Sequence, residues 1–329
     1  MNKEFIDEFV SPQSKEKYTL VAGEIEGDRV KTGYLLSEKS GERVEITNFI
    51  PRFVKSQDYT ETFGYQWNIF RKTQLDSSNL TDLSQRRFYN GTKWQPVEMK
   101  GTKILEAGCG AGRFTEIILK TGALTYSFDY SNAVDVCYEN NLNDRLCAFQ
   151  GDIFNIPFPE NYFDKVFCYG VLQHTPNPRA AFYSLVRALK PGGKISVDCY
   201  LKDGRIEHWK SKYIWRPVTT RMDRELLLKI LRAYIPVWFP VDTVLKRIPY
   251  LGRFLGSVIP CWNYTGRVKG YRDLIEWAVM DTFDALAPKY DLPQRFEDVL
   301  QWFQNSPEKF TGIDVFLGAN GIVGNAVKL

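Results

Sequence analysis

Between positions 103 and 200, short apolar runs alternate with stretches in which apolar residues recur every third or fourth position. The runs 103–107, 123–128, 146–150, 163–169 and 194–200 are too short for buried helices and read as strands. After the first run, Phe114, Ile117 and Ile118 share one helical face, and Gly122 ends that helix. After the fourth, Asn177-Pro178 supplies an N-cap and a first-turn proline, and Phe182, Leu185, Val186 and Leu189 form one stripe. Lys190-Pro191-Gly192-Gly193 stops it. Strands separated by helices predict a parallel, doubly wound α/β sheet. The tail reads differently. A helix is expected over 293–305, with Phe296, Val299, Leu300 and Phe303 on one side. The runs 313–317 and 322–328 then flank Gly318-Ala319-Asn320-Gly321 as a β-hairpin.

The first hundred residues do not share this alternation. Between 18 and 54 the β-prone pieces are short and broken at Glu26-Gly27-Asp28, at Ser40-Gly41 and at 48–51, which predicts a small antiparallel hairpin unit. Beyond it Phe63, Tyr65, Trp67 and Phe70 cluster; such clusters are more often core than ligand contact.

The chemistry concentrates after the first strand, where Glu106-Ala107-Gly108-Cys109-Gly110-Ala111-Gly112-Arg113 reads E-x-G-x-G-x-G. Strand, glycine turn and helix N-terminus form a corner that cradles phosphate or cofactor. The dinucleotide fingerprint requires glycine at 113, where this chain has Arg113. Asp129 closes the second strand, 21 positions after Gly108, near the spacing at which a strand-end acid meets a ribose. The alternative is a helix N-terminal acid, because Ser131 and Asn132 follow as caps.

The glycine series resembles motif I of the class I S-adenosylmethionine (SAM)-dependent methyltransferases. Gly151-Asp152-Ile153 resembles that family's adenine-recognition segment, and Asp164 fits its F-D-x-V pattern. The motifs occur in family order, and the resemblance is to the small-molecule, methyltransferase type 11-like branch. It implies a Rossmann-like, doubly wound seven-stranded sheet closed by a C-terminal antiparallel hairpin. It also implies SAM as cofactor, S-adenosylhomocysteine as product, and an enzyme transferring a methyl group to oxygen, nitrogen or carbon of a small acceptor. The cofactor contacts carried over are Glu106, Ala107, Gly108, Cys109, Gly110, Gly112, Arg113, Asp129, Tyr130, Asp152, Ile153, Tyr169 and Gly170. In related enzymes the segment before motif I folds over the cofactor, which adds Trp67 and Arg87, with Tyr65 and Arg86 beside them. Residues 48–68 look like the leader of certain bacterial methyltransferases that begins as a cysteine zinc ribbon. Here no cysteine precedes Cys109, so the leader is expected to hold by packing, without metal.

Three units follow: an N-terminal extension (1–100), a SAM-binding core (101–200 and 293–329), and an insertion (201–292). The insertion changes the charge picture. Residues 201–272 hold fifteen Lys or Arg and five acids, net +10 in a chain of net +4, so the rest is −6. Four of the eight tryptophans lie there too. Asp223 is read as the N-cap of a helix with Leu226, Leu227, Ile230, Leu231 and Tyr234 on one side, and Leu251, Phe254, Leu255, Val258 and Ile259 repeat the pattern. Basic amphipathic helices suit a mobile lid over an anionic, sugar- or lipid-linked acceptor, or a surface lying on a membrane. A fixed helical cap with solvated basics outside is the competing reading. No nucleic-acid motif accompanies the charge, so no nucleic-acid partner is expected.

Methyl transfer from a sulfonium needs orientation and exclusion of water, and a hydroxyl acceptor also wants a base. His174, beyond the fourth strand, and Tyr200, ending the fifth, are the catalytic candidates; His208 in the insertion is a weaker one. No acid or histidine cluster suggests a metal. A SAM-binding protein without catalysis, serving as a regulator or assembly partner, is the alternative function. The acidic start (Glu4, Asp7, Glu8) predicts no secretory signal, and the six scattered cysteines fit a reducing compartment. A cytoplasmic protein is expected, with peripheral contact to the inner membrane through 201–272 left open.

Overall fold

The computed structural model describes residues 2–54, 60–202, 211–248, 258–268 and 270–329. Thirteen strands occur among them: β1 (Thr19–Ala22), β2 (Ile25–Glu26), β3 (Arg29–Val30), β4 (Gly33–Leu36), β5 (Arg43–Thr47), β6 (Ile50–Arg52), β7 (Lys103–Ala107), β8 (Leu124–Asp129), β9 (Leu146–Gln150), β10 (Phe163–Cys168), β11 (Leu189–Cys199), β12 (Phe310–Gly318) and β13 (Gly321–Lys328). The helices are α1 (Glu61–Ile69), α2 (Asp76–Asn79), α3 (Leu83–Thr92), α4 (Pro96–Met99), α5 (Arg113–Lys120), α6 (Ala133–Asn140), α7 (Pro178–Ala188), α8 (Ser211–Thr219), α9 (Arg224–Leu245), α10 (Tyr271–Leu286) and α11 (Phe296–Gln304).

One large sheet runs β1-β4-β5-β6-β9-β8-β7-β10-β11-β13-β12. Its centre is parallel, from β9 through β8, β7 and β10 to β11. These strands are buried on both faces, which is why they read as unbroken apolar runs rather than alternating ones. β13 returns antiparallel against β11 and carries β12 on its outer edge. Strand order reverses between β7 and β10, and a crevice opens at their carboxyl ends, where open α/β sheets bind ligands.

The N-terminal strands pair antiparallel with one another and extend the central sheet. β6 joins the edge of β9 in parallel through the Arg52–Gln150 pair, and β5, β4 and β1 continue the same sheet as an antiparallel meander. Arg52 also pairs with Asp135 at 2.5 Å, and Phe5 and Phe9 pack edge-on against Tyr126 and Phe149. The stop expected at 190–193 is absorbed into β11, which begins at Leu189 beside Phe163 with a shift of register before Lys165.

Residues beyond 210 build their own apolar core. Leu227, Leu231, Ile235 and Phe239 of α9 are buried with Trp277, Met280 and Phe283 of α10 and with Phe70 from the leader. Each fully buried side chain of this size contributes roughly 1.5–3 kcal/mol, so the segment is anchored like a core element. Asp223 caps α9, accepting from the backbone of Glu225 and Leu226 at 3.0 Å. Leu226 and Ile230, expected on the packed face, are exposed. Leu251, Phe254 and Leu255 lie outside the described residues, as do His208 and Trp209.

Candidate functional site

The corner after β7 is shaped by backbone that only glycine adopts easily. Gly108 takes φ +76°, and its N–H and that of Cys109 donate to the Phe128 carbonyl at 2.8 and 2.9 Å, stapling the turn to β8. A Cβ on Gly108 would meet Val171 Cγ2 at 2.2 Å. Gly110, at φ +51°, donates its N–H to Asp129 Oδ2 at 3.0 Å, and a Cβ there would stand 3.1 Å from the Trp67 indole. The turn therefore presents bare backbone to the crevice, with an indole from α1 across from it.

Asp129 ends β8 facing the corner. Its Oδ1 accepts from the Ser131 N–H at 2.9 Å and the Ser131 hydroxyl at 2.7 Å. Burial pushes its pKa up, against the lowering effect of these bonds and of Gly110. A carboxylate offers about four acceptor positions; three are filled, so one remains for a ligand hydroxyl. Glu106 lies behind the corner rather than in it. Its Oε2 accepts from Thr115 at 2.5 Å and Ser127 at 2.7 Å, Oε1 is buried without a partner, and burial pushes its pKa to about 7.

A cavity of about 990 Å³ opens over this corner. That is the upper end of the range for ligand sites and leaves room for two small molecules side by side. Around the glycine corner it is lined by Trp67, Gly108, Cys109, Gly110, Arg113, Asp129, Tyr130, Ile153, Tyr169, Gly170, Arg86 and Arg87. Ala107, Glu106, Gly112 and Asp152 do not line it. Asp152 spends its carboxylate locally, accepting from the Phe154 N–H and the Asn155 amide at 2.9 Å. That is an Asx turn, which fills two of the four acceptor positions of the carboxylate. Tyr65 turns the other way, against Phe283 and beneath Arg224.

Two arginines hold the walls. Arg87 crosses from α3 to pair with Asp198 on β11 at 2.6 Å, while Asp198 also accepts the Gly170 N–H at 2.5 Å. Burial works against the Arg87 charge, but Asp198 outweighs it and raises the pKa. Arg113 donates to Gln74 at 2.6 Å and to Ser84 at 3.1 Å. Burial, then repulsion from Arg87, pushes its pKa down to about 10.

The far wall belongs to the insertion, and no motif in the sequence singles out its polar residues. Asp281 and Asp284 lie three apart on α10, so they share a face, and both line the cavity with Trp262, Tyr264 and Trp277. Tyr264 donates to Asp281, and burial pushes the Asp281 pKa up to about 6. Tyr200 donates to Asp284 at 3.4 Å; burial and the surrounding carboxylates raise its pKa well up, so it stays a neutral donor rather than a base. Of the basic residues in 201–272, Lys212 and Arg267 line the cavity among the described residues, and Lys212 is paired with Asp291 at 2.8 Å.

His174 lies on the wall between these halves, buried, with Phe63 and Tyr200 ring centroids at 5.1 and 5.5 Å. Its Nδ1 is 2.9 Å from the Tyr290 carbonyl. A carbonyl only accepts, so Nδ1 carries a proton, and in the neutral ring the lone pair is then on Nε2. Nε2 is buried and has no hydrogen-bond partner among the described residues.

Comparison with known proteins agrees with this geometry. Residues 105–197 match the sequence model of the methyltransferase domain family. Sterol 24-C-methyltransferase ERG6B of Gibberella zeae is 33% identical over 103 residues, covering 30% of this chain and 27% of that protein. Ubiquinone biosynthesis O-methyltransferase of Coxiella burnetii is 31% identical over 104 residues, covering 31% of this chain and 44% of that protein. The match thus spans less than half the length of either relative. Magnesium protoporphyrin IX methyltransferase of Synechocystis PCC 6803, solved with bound S-adenosylhomocysteine, aligns over 83% of this chain and 98% of its own at TM-score 0.42 and 14% identity. Glycine corner and strand-end acid both lie within or beside the stretch that matches, so residues 105–197 are similar to a methyltransferase domain.

Proposed function

We propose that the protein transfers the methyl group of SAM to a hydroxyl of a small acceptor held against α10, with His174 taking the proton. The residues fit SAM: bare backbone at Gly108 and Gly110, one free acceptor position on Asp129, the Trp67 indole opposite, and apolar Ile153 on the adenine side. SAM supplies an electrophilic methyl on sulfur. With SAM bound at the corner, the acceptor oxygen would take that methyl with loss of S-adenosylhomocysteine, and His174 Nε2 would take the oxygen's proton. Arg87 and Asp198 fix the Gly170 turn beside the reacting atoms. Tyr200 and Tyr264 present hydroxyls, and α10 walls out water, the positioning that this chemistry depends on.

The observation that carries the oxygen reading is the buried Nε2 of His174, without a hydrogen-bond partner among the described residues, with Nδ1 held by the Tyr290 carbonyl. The acceptor is expected to be partly aromatic or apolar, since Trp262, Trp277 and Phe63 line its half of the cavity. Most described basic residues of the insertion lie elsewhere, so their charge does not select the acceptor. The test is conversion of SAM to S-adenosylhomocysteine with fractionated metabolites. Product labelled on oxygen supports the reading, while labelling on carbon or nitrogen alone, or SAM binding without turnover in any fraction, counts against it.

A further inference from the structure

Helix α9 is apolar on two opposite faces, and one of them is exposed among the described residues. Leu227, Leu231, Ile235 and Phe239 are buried against α10. Leu226, Ile230, Val237, Val241, Val244 and, one turn beyond the helix, Ile248 are exposed, Val237 at 75%. At 100° per residue the five on the helix fall within an arc of about 60°, a stripe along about 27 Å of helix. Apolar residues scattered singly on a surface need no explanation, whereas an aligned stripe on one long helix does.

We propose that this face lies on an anionic lipid bilayer. Charge decides between occupants. Lys229 and Arg247 are exposed, sit about 60° to one side of the stripe, and make no ion pair among the described residues. Residues 201–272 carry net +10. A second copy docked stripe to stripe would bring these like charges together, while a bilayer of acidic headgroups neutralises them and buries the apolar row beneath. No helix of the described residues is long and apolar enough to cross a membrane, so the helix lies in the interface plane. Exposed Ile214, Trp215 and Val218 on neighbouring α8 share one helical face in the same way. The opposite side of α9 packs on α10, whose Asp281 and Asp284 face the cavity, so docking places an apolar acceptor's source next to the catalytic half of the protein. The inference stands apart from the methyl-transfer reading, because it is tested by partition and not by turnover.

The experiment is co-sedimentation of the full chain with phosphatidylcholine vesicles, with and without a minority of phosphatidylserine. Binding to the acidic vesicles that falls steeply with salt is expected. Val237→Asp with Val241→Asp should weaken it at least tenfold, and Lys229→Glu with Arg247→Glu about as much. S-adenosylhomocysteine affinity reports that the variants are folded and should not change. Equal binding to neutral vesicles, no binding to either, or a dimer in solution that Val237→Asp dissociates would each overturn the proposal, the last in favour of a second copy.

Discussion

Gly110 donates its backbone N–H to Asp129 Oδ2 at 3.0 Å, so the glycine corner and the strand-end acid are one rigid unit before any ligand arrives. Replacing Asp129 with Ala removes both an internal bond and a ligand acceptor. SAM affinity should fall roughly ten- to a hundredfold, on the order of 1.5–3 kcal/mol. Asp129→Asn keeps one oxygen and should lose less. Calorimetric titration of both variants checks the order.

Glu106 and Asp281 make stability depend on pH in an unusual direction for acids. Both folded pKa values are raised by burial, to about 7 and about 6. Below the unfolded values, near 4, both states are protonated and nothing is lost. Between there and pH 7 the folded state holds more protons than the unfolded one, so stability falls as pH rises. Melting temperature should therefore be higher at pH 5 than at pH 7.5. Glu106→Gln, neutral throughout, should flatten much of that slope.

His174→Gln should lower kcat by about 10²–10⁴ while leaving SAM affinity within twofold or so. Tyr200→Phe should cost far less, because Tyr200 only donates to Asp284. A single-turnover assay separates transfer from binding; equal losses for the two variants would point to packing around the Phe63–His174–Tyr200 stack instead.

Arg87→Met leaves the Asp198 carboxylate buried and unpaired, with an expected loss of about 3–5 kcal/mol of stability. Adding Asp198→Asn should recover a large part of it. Denaturant unfolding of the two single variants and the double variant measures the coupling.

How much of this was readable in advance depended on whether the information was local. β7, its glycine turn and α5 follow from contiguous residues, and so do the buried parallel strands. The local bonds of Asp152 to Phe154 and Asn155 were not legible, because no motif spacing reveals them. Asp198, on β11, meets the site through the Gly170 turn and Arg87, while Tyr264, Asp281 and Asp284 become neighbours of the corner only when the chain after β11 returns over the sheet. Asp281 and Asp284 do share a helical face with each other, but nothing in that spacing says what the face meets. The two-faced pattern of α9 was legible as amphipathic, yet Leu226 and Ile230 were assigned to the packed side, since apolar content alone cannot say which stripe finds a partner. The same packing changes the expectation for the insertion. Amides of α9 and α10 facing their shared core should exchange slowly without ligand, as a fixed cap does, rather than at the rate of a mobile lid.

The most direct test is calorimetry of S-adenosylhomocysteine binding to the wild-type chain and to Gly110→Val. Valine would set a branched side chain at φ +51° against the Trp67 indole, in the path of the ligand, while leaving the sheet untouched. One site per chain in the wild type, with binding lost in a variant that still melts cooperatively, is the predicted result. No binding by the wild type, or an unchanged affinity in Gly110→Val, would contradict the placement of the cofactor at this corner.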